Sequence, residues 1–236
     1  MVRLLALCLL ALVLSACNVA PDGTSIYRAY SSGVVLITTY QDPQGTLQLG
    51  VGSGFIVDRA TGTIATAAHV VDSPANVITV TYPDGTVTRA TVLDKSDLNP
   101  RTRPDVAFIV PDVVPKGGVA CLPLDISRDP APGTLLWALG YPMDAGLNLT
   151  PLYALGPPGI QRVMKDNVGF NSLLRVSGMI VEGNSGGPMV TDTGVIAIAV
   201  ITVKREGSYV NIGYGTPSIL VHRAFWALYN RAPSCN

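Results

Sequence analysis

The sequence predicts an all-β domain, a sandwich or a barrel, with one helix at its end. Short apolar runs rich in β-branched residues recur along the 236-residue chain, bounded by Gly, Pro, Asp or Asn. Glycine and proline supply 42 of the 236 residues, which is above average usage but below that of low-complexity chains. A chain of this length can bury one large β core or two small ones without depending on disulfides.

The predicted strands are spread along the whole chain. They are Val34–Ile37, Phe55–Val57, Val77–Val80, Val106–Val110, Leu135–Leu139 and Val195–Val203. The segment Tyr82–Thr86 (Tyr-Pro-Asp-Gly-Thr) has the composition of a tight turn and predicts a hairpin after the third of these strands. The segment 120–124 lies between Gly- and Pro-rich stretches, and we interpret it as a crossing between two lobes.

A helical period occurs only near the end of the chain. Thr216 and Pro217 are typical of an N-cap followed by the first helical position. We therefore predict a single C-terminal helix. The apolar residues that would share one face of this helix are Val221, Ala224, Phe225 and Leu228.

The charge balance and the histidine count exclude several classes of protein. Sixteen basic and sixteen acidic residues cancel, which leaves no evident electrostatic basis for binding nucleic acid or an anionic membrane face. Two histidines exclude a His-rich metal site. We therefore expect no nucleic-acid partner, no metal and no cofactor.

The first residues have the features of an export signal. Arg3 precedes an apolar run, Leu4–Leu14, which is too short for the ~20 residues of a membrane-spanning helix. The following Leu-Ser-Ala-Cys resembles the processing site of bacterial lipoproteins. That resemblance implies that residues 1–16 are a removed signal peptide and that acylated Cys17 holds the protein at the lipid bilayer. The small, polar and turn-forming residues that follow predict a tether over residues 17–25.

Asn18 directly after this cysteine favours the periplasmic face of the outer membrane, if the host is Gram-negative. The alternative is an ordinary signal peptide cut near Ala20. Either interpretation means that the protein is exported to an oxidising compartment. Cys121 and Cys235 remain there as a plausible disulfide, and the alternative is two separate free thiols.

Three short motifs contain reactive side chains in the order His, Asp, Ser. His69 lies in Thr-Ala-Ala-His-Val-Val, Asp105 in Asp-Val-Ala-Phe and Ser185 in Gly-Asn-Ser-Gly-Gly-Pro. Acyl transfer needs a hydroxyl nucleophile, a base that takes its proton and a carboxylate that orients the base. The three motifs therefore predict a catalytic triad.

The glycines beside the candidate nucleophile favour an oxyanion hole. Gly183, Asn184 and Ser185 form a loop in which glycine permits unusual backbone angles. The N–H groups of Gly183 and Ser185 could then point at one site, where a developing negative charge needs donors.

Other acidic residues and the second histidine compete for the same roles. Asp105 is favoured because it opens an apolar strand, which would bury and orient its carboxylate. His222 lies beside Arg223 on the predicted helix, and we interpret it as a surface residue. The carboxylates that compete with Asp105 from polar turns are Asp94, Asp97 and Asp112.

Together these motifs resemble the chymotrypsin-like serine proteases. The segments Gly52–Val57 (Gly-Ser-Gly-Phe-Ile-Val) and Asn211–Ser218 (Asn-Ile-Gly-Tyr-Gly-Thr-Pro-Ser) resemble the HtrA-type branch, and the similarity covers about residues 30–230. It implies two six-stranded antiparallel β-barrels within residues 26–236, with a boundary near 117–130 and the active site in the cleft between them. His69 and Asp105 would come from the first barrel and Ser185 from the second.

The resemblance also implies partners and a covalent link. HtrA-type substrates would be unfolded or exported proteins, and Cys121 and Cys235 are placed like a disulfide of trypsins. The chain stops about twenty residues after Pro217, so we expect no PDZ domain here. When a trypsin-like zymogen is cleaved, an aspartate before the nucleophile forms a buried ion pair with the new N-terminus. Asn184 cannot form this pair, so we expect no activating cleavage.

The substrate pocket is placed by family analogy. Met179, six residues before the nucleophile, would form its floor, and Glu182 would stand at its mouth. None of the floor or wall residues carries a charge, which favours small or medium aliphatic side chains before the scissile bond. The expected walls are Thr202, Val203, Asn211 and Ile212.

Two other functions remain open. A protein with these motifs could be catalytically silent and only bind. Gly183–Gly187 also fits the Gly-x-Ser-x-Gly nucleophile elbow of α/β-hydrolases, which would make the protein an esterase or lipase. The elbow requires a helix directly after the serine, whereas Gly186-Gly187-Pro188 is a poor helix start.

Overall fold

The structure is a computed structural model. It describes residues 22–72, 75, 77–93, 104–117, 119–127, 129–159, 163–165, 168–170, 173–205 and 208–236. The backbone, but not the side chains, is described at 144, 157–159, 163–165, 168–170, 203–205 and 208–210. The predicted signal peptide, Cys17 and the first part of the predicted tether lie outside the described residues.

Six antiparallel strands close into the first barrel. They pair in the order β1-β2-β3-β6-β5-β4 around the barrel. The hairpin predicted from Tyr82–Thr86 is present, because Gly85 has φ of +85° and its N–H donates to the Tyr82 carbonyl at 2.9 Å. The strands are β1 (Val34–Tyr40), β2 (Gln48–Asp58), β3 (Thr63–Thr66), β4 (Val77–Thr81), β5 (Val87–Val92) and β6 (Ala107–Pro111).

A second closed barrel of six antiparallel strands follows in the chain. Its order is β11-β14-β13-β12-β7-β8, and β9 and β10 form a separate two-stranded ribbon. The two six-stranded barrels confirm the predicted fold class. The strands are β7 (Leu135–Gly140), β8 (Asn148–Gly159), β9 (Val163–Lys165), β10 (Val168–Phe170), β11 (Leu173–Ser177), β12 (Pro188–Val190), β13 (Val195–Arg205) and β14 (Ser208–Pro217).

Three α-helices lie in the described part of the chain. They are α1 (Gly23–Tyr30), α2 (Ala68–Val71) and α3 (Ser218–Tyr229), with 3₁₀ turns at Ser31–Gly33 and Pro142–Asp144. None of the helices in the described residues is long and apolar enough to cross a membrane.

Helix α1 shortens the predicted tether. Residues 22–25 belong to the predicted tether, but Asp22 caps the helix by accepting the Ser25 N–H at 2.7 Å. Ile26 and Tyr30 are buried against both barrels. The polar, turn-forming residues of this segment thus provide a helix cap and belong to the folded domain.

The C-terminal helix is present but begins later than predicted. Pro217 is its N-cap rather than its first residue, because β14 extends to Pro217, which pairs with Ala197. Thr216 lies in the same strand and caps nothing. Leu228 is 39% exposed, so the apolar face is narrower than its spacing indicated, whereas Val221 and Phe225 are fully buried.

A shared apolar core joins the two barrels. Phe55 and Phe108 of the first barrel lie in one cluster with Ile198 of the second, and Phe225 of α3 packs edge-on against Phe108 at 5.5 Å. Phe225 is therefore part of the same core, which explains why α3 docks between the barrels.

The predicted crossing segment connects the barrels and carries a disulfide. The Leu122 N–H donates to Ile56 in the first barrel, and the Asp125 N–H donates to Val195 in the second, each at 2.8 Å. Cys121 and Cys235 are linked by a disulfide with a Cα–Cα distance of 5.2 Å. It joins the crossing segment to the C-terminal segment, 114 residues further along the chain.

Candidate active site

His69 and Asp105 form a close pair on the first barrel. Helix α2, one residue after β3, presents the His69 ring, and Asp105 lies two residues before the start of β6, which pairs with β3. His69 Nδ1 lies 2.7 Å from Asp105 Oδ2. The carboxylate is fully buried while the imidazole is 40% exposed. An acceptor at Nδ1 fixes the proton there, so Nε2 is the nitrogen left free to act as a base.

Two further hydrogen bonds hold Asp105 in place. The His69 backbone N–H donates to Asp105 Oδ1 at 3.0 Å, so both carboxylate oxygens serve the same histidine. The Thr216 hydroxyl, from the second barrel, donates to the Asp105 main-chain carbonyl at 3.2 Å. Of its sequence competitors, Asp112 is exposed, and Asp94 and Asp97 lie outside the described residues.

The loop around Ser185 depends on glycines with positive φ. Gly183 has φ of +90° and Gly186 has φ of +87°. A Cβ on Gly183 would stand 2.1 Å from the Tyr141 carbonyl oxygen, and one on Gly186 would stand 2.1 Å from that of Ser53. A side chain at either position would therefore push the loop away from its neighbours.

Ser185 lies where the two barrels meet. Its carbonyl accepts the Ser53 N–H of β2 at 2.7 Å, which ties the loop to the first barrel. Its hydroxyl donates to the Val200 carbonyl of β13 at 3.0 Å. This hydrogen bond must break before the hydroxyl can hand its proton to a base.

The peptide groups around Gly183 have fixed orientations. The Glu182 carbonyl accepts the Met143 N–H at 2.9 Å. In a trans peptide the C=O and the following N–H point in opposite directions, so the Gly183 N–H points away from Met143. Among the residues that the structure describes, the N–H groups of Gly183 and Ser185 donate to no protein acceptor. Both are available to an oxygen atom of a substrate.

Asn184 is a buried residue of the loop that carries Ser185. Its side chain is 5% exposed, and its Oδ1 has no hydrogen-bond partner within the described part of the chain. That no activating cleavage is needed stays a prediction.

The predicted pocket residues come from neighbouring segments of the second barrel. Buried Thr202 accepts the Ile180 N–H, and the Gly178 N–H donates to the Asn211 carbonyl at 3.1 Å. The structure thus brings 178–180, Thr202 and Asn211 together, with Ile212 half-buried beside them. Met179 is 44% exposed and Glu182 is exposed. The backbone of Val203 continues β13, and its side chain lies outside the description.

Two sequence interpretations change with the structure. The nucleophile-elbow alternative is wrong, because a turn and strand β12 follow Ser185 where an α/β-hydrolase requires a helix. His222 is partly buried on α3 rather than a fully solvated surface residue.

One residue of the site had no assigned role in the sequence. Ser53 is fully buried, and its hydroxyl donates to the Gly183 carbonyl at 2.7 Å. The signal was a hydroxyl inside an otherwise apolar strand, between two glycines of the Gly-Ser-Gly-Phe segment.

Comparison with known proteins agrees with this geometry. The chain is 32% identical over 177 residues to the periplasmic serine endoprotease DegP of Salmonella typhimurium, covering 73% of this chain and 34% of DegP. It is 30% identical over 146 residues to the serine endoprotease DegS of Escherichia coli K12, covering 61% of this chain and 37% of DegS. The chain thus spans about a third of the length of these curated relatives.

Solved structures show the same fold. A serine endoprotease from Yersinia pestis matches with a TM-score of 0.69 and 21% identity, over 90% of this chain and 68% of that one. The HtrA-type protease AlgW with a tripeptide matches with a TM-score of 0.72 and 21% identity, over 89% of this chain and 64% of AlgW.

The family match covers most of the domain. Residues 52–200 match the trypsin-like peptidase domain, a span that begins in β2 and ends in β13. This span includes the His69–Asp105 pair and the Ser185 loop. The chain therefore belongs to the trypsin-like peptidase family and is of the chymotrypsin-like HtrA type.

Proposed function

We propose that this protein is a serine endopeptidase that hydrolyses peptide bonds through an acyl-enzyme intermediate. The observation that carries the proposal is the 2.7 Å contact between His69 Nδ1 and the buried Asp105 carboxylate, on the barrel to which the Ser185 loop is bonded. A partly exposed imidazole with its proton held at Nδ1 is what a general base needs, because the lone pair of Nε2 can then accept a proton.

The residues would act in a fixed order. Ser185 Oγ turns from the Val200 carbonyl toward His69, gives its proton to Nε2 and attacks the scissile carbonyl carbon. Asp105 stabilises the imidazolium that forms, and the N–H groups of Gly183 and Ser185 bind the negatively charged oxygen. His69 then protonates the leaving amine, and water, activated by the same imidazole, hydrolyses the acyl-enzyme.

A fluorophosphonate probe, which labels activated serines, tests the proposal directly. The wild type should be labelled and should cleave an unfolded protein such as casein. Ser185→Ala should abolish both, with a loss of about 10⁶-fold in kcat by the precedent of other serine proteases. The exposed Ser127 provides the matched control, because Ser127→Ala should label like the wild type. A folded wild type that takes no label would instead support the catalytically silent, binding-only alternative.

We also propose that the enzyme is anchored in the cell envelope through acylated Cys17 and acts on exported proteins. The Leu-Ser-Ala-Cys segment supports the anchor, and DegP is named as periplasmic. Helix α1 is capped at Asp22, so only residues 18–21 would separate it from the lipid. At about 3.5 Å per residue this link spans at most about 14 Å and would keep the domain near the bilayer.

Metabolic labelling with palmitate tests the anchor. The full-length wild type should incorporate label and sediment with membranes, while Cys17→Ala should do neither. Cys8→Ala is the control, since it changes a cysteine of the segment that would be removed. Label retained in Cys17→Ala would contradict the anchor without touching the proposed activity.

The proposed specificity is for small or medium aliphatic residues before the scissile bond. Support comes from the uncharged set Met179, Thr202 and Ile212, which the structure brings to one region. A peptide-library profile should peak at Ala, Val or Ile, and Met179→Asp should add cleavage after Lys or Arg. A wild-type profile dominated by Lys or Arg would contradict the proposed pocket.

A further inference from the structure

Ser53 connects the first barrel to the loop that carries the candidate nucleophile. It lies in β2 and is fully buried. Its N–H donates to the Ser185 carbonyl at 2.7 Å, and its own carbonyl accepts the Thr66 hydroxyl at 2.8 Å. Its hydroxyl donates to the Gly183 carbonyl at 2.7 Å and accepts the Tyr141 N–H at 2.9 Å. Every polar group of this residue is therefore used at the site.

The direction of these hydrogen bonds is fixed by chemistry. A backbone N–H can only donate, so Tyr141 must be the donor to Ser53 Oγ. The single hydroxyl proton of Ser53 is then available to the Gly183 carbonyl. Since a hydroxyl that accepts one hydrogen bond donates the next more strongly, the Tyr141–Ser53–Gly183 chain is cooperative.

The backbone of Gly183 needs hydrogen bonds from other segments to keep its conformation. As a glycine at φ of +90°, it has more backbone freedom than any other residue would have there. The Met143 N–H holds the peptide before it through the Glu182 carbonyl, and Ser53 holds the peptide after it through the Gly183 carbonyl. The Gly183 N–H belongs to the first of these peptides, and holding the second as well restricts rotation about the two backbone bonds of Gly183, which would otherwise let the first peptide turn.

We propose that Ser53 is a positioning residue, whose hydroxyl keeps the Gly183 N–H aimed at the oxyanion of the reaction. The inference rests on the proposed function and adds to it a residue that never touches the substrate. Its contribution is made in the transition state, because the carbonyl oxygen of a bound substrate becomes fully negative only there.

Ser53→Ala tests the proposal. It should lower kcat for a peptide substrate by about 10- to 100-fold and leave KM nearly unchanged, less than the 10²–10³-fold expected when an oxyanion donor itself is lost. The affinity of a peptidyl boronate, which binds as a tetrahedral adduct with an oxyanion, should fall in parallel with kcat/KM. The affinity of the peptide substrate for Ser185→Ala should not change when Ser53→Ala is added.

Thr63→Val is the matched control. Thr63 is also fully buried in the first barrel, and its hydroxyl contacts those of Thr61 and Tyr229, away from Ser185. If Ser53 had only a structural role, both variants would lose thermal stability and neither would lose kcat. We expect a comparable loss of stability in both and a loss of kcat only in Ser53→Ala.

A second variant covers the case in which Ser53→Ala does not fold. Ser53→Cys keeps the side chain compact and retains a weak S–H donor. Its kcat should lie below that of the wild type, with KM unchanged; a kcat equal to that of the wild type would overturn the inference. An inert wild type would contradict the proposed function itself, whereas an active wild type with an equally active, folded Ser53→Ala would contradict only the role of Ser53.

Discussion

Two buried carboxylates of the first barrel lie in similar pairs, but only that of Asp105 has a proposed catalytic role. Asp105 and Asp58 are both fully buried at the side chain, and each has a basic partner at 2.7 Å. The partner of Asp105 is the imidazole of His69, and the partner of Asp58 is the guanidinium of Arg231. Burial and pairing alone therefore do not identify a catalytic acid in this fold.

Both carboxylate oxygens of Asp58 are occupied by hydrogen bonds within the protein. Arg231 forms two hydrogen bonds to it, at 2.7 and 2.8 Å, and Thr61 and the Ser234 N–H take up its remaining capacity. The Arg231 guanidinium holds the pKa of the Asp58 carboxyl well below its usual range. An arginine neither gives up its proton nor leaves a free basic nitrogen, so this pair cannot move a proton.

Asp58 instead binds the C-terminal segment, through Arg231 and Ser234, to the first barrel. Arg231 lies 5.4 Å from the ring centroids of both Phe225 and Tyr229, and the Arg59 N–H donates to the Ser234 carbonyl at 2.9 Å. With the Cys121–Cys235 disulfide, these contacts form what we call the C-terminal latch: Asp58, Arg231, Ser234 and the disulfide. The two pairs therefore differ in the basic partner and not in the carboxylate. His69 keeps a nitrogen lone pair that can accept a proton, whereas Arg231 has none.

Asp105→Asn is expected to have the largest effect. The amide would present an N–H to His69 and favour the wrong tautomer, so kcat should fall by about 10⁴-fold, as it does in serine proteases with this triad. The melting temperature should change little, because the hydrogen bond from the His69 backbone to Oδ1 can persist. Steady-state peptide hydrolysis and thermal unfolding measure the two effects. A large loss of stability with preserved activity would show that Asp105 has a structural role like that of Asp58.

Opening the disulfide should give the next largest effect, on stability alone. In the chain-entropy model, closing a loop with a separation of 114 residues is worth up to about 5 kcal/mol. Cys121→Ser combined with Cys235→Ser should therefore lower the urea midpoint strongly while leaving kcat at 25 °C intact. Dithiothreitol should shift the midpoint of the wild type but not that of the double variant. A kcat that falls together with the urea midpoint would mean that the disulfide also affects the geometry of the active site.

The sequence predicted His69, Asp105 and Ser185 because each lies in a short motif of adjacent residues. Tyr82–Thr86 predicted its hairpin for the same reason, since a turn depends on adjacent residues. The Asp58–Arg231 pair of the latch could not be predicted in this way. Asp58 and Arg231 are 173 residues apart, and no local pattern relates them.

Helix α1 and the role of Ser53 were also missed, because each depends on contacts with distant segments. The polar residues before Ile26 fit a linker and a helix cap equally well, and only the barrels into which Ile26 and Tyr30 pack decide between the two. The role of Ser53 depends on Tyr141 and Gly183, which the fold brings to it from the second half of the chain. The strands could be predicted from local sequence, whereas contacts between distant segments could not.

Asp58→Asn should cost less than the disulfide but more than a surface change. Breaking a buried ion pair leaves Arg231 without its counter-charge, and we expect a loss of about 3 kcal/mol, at the low end for such pairs because Arg231 is 39% exposed. Peptide hydrolysis at 25 °C should keep its wild-type kcat. Asp84→Asn, in the exposed turn of the β4–β5 hairpin, is the matched control and should change stability by less than about 0.5 kcal/mol.

The smallest expected effect is the pH dependence that Asp58 adds to stability. Because Arg231 lowers the pKa of Asp58 in the folded protein, its stabilising contribution is complete above the unfolded pKa of about 4 and is lost as the pH falls below that value. Urea unfolding at pH 5 and pH 3 should therefore show a steeper loss for the wild type than for Asp58→Asn. Asp42, whose pKa the backbone N–H groups of Leu47 and Thr46 lower to about 2, is present in both proteins and cancels in this difference. Parallel losses in the two proteins would show that Asp58 is not held ionised by Arg231, and the contrast with Asp105 would then rest on geometry alone.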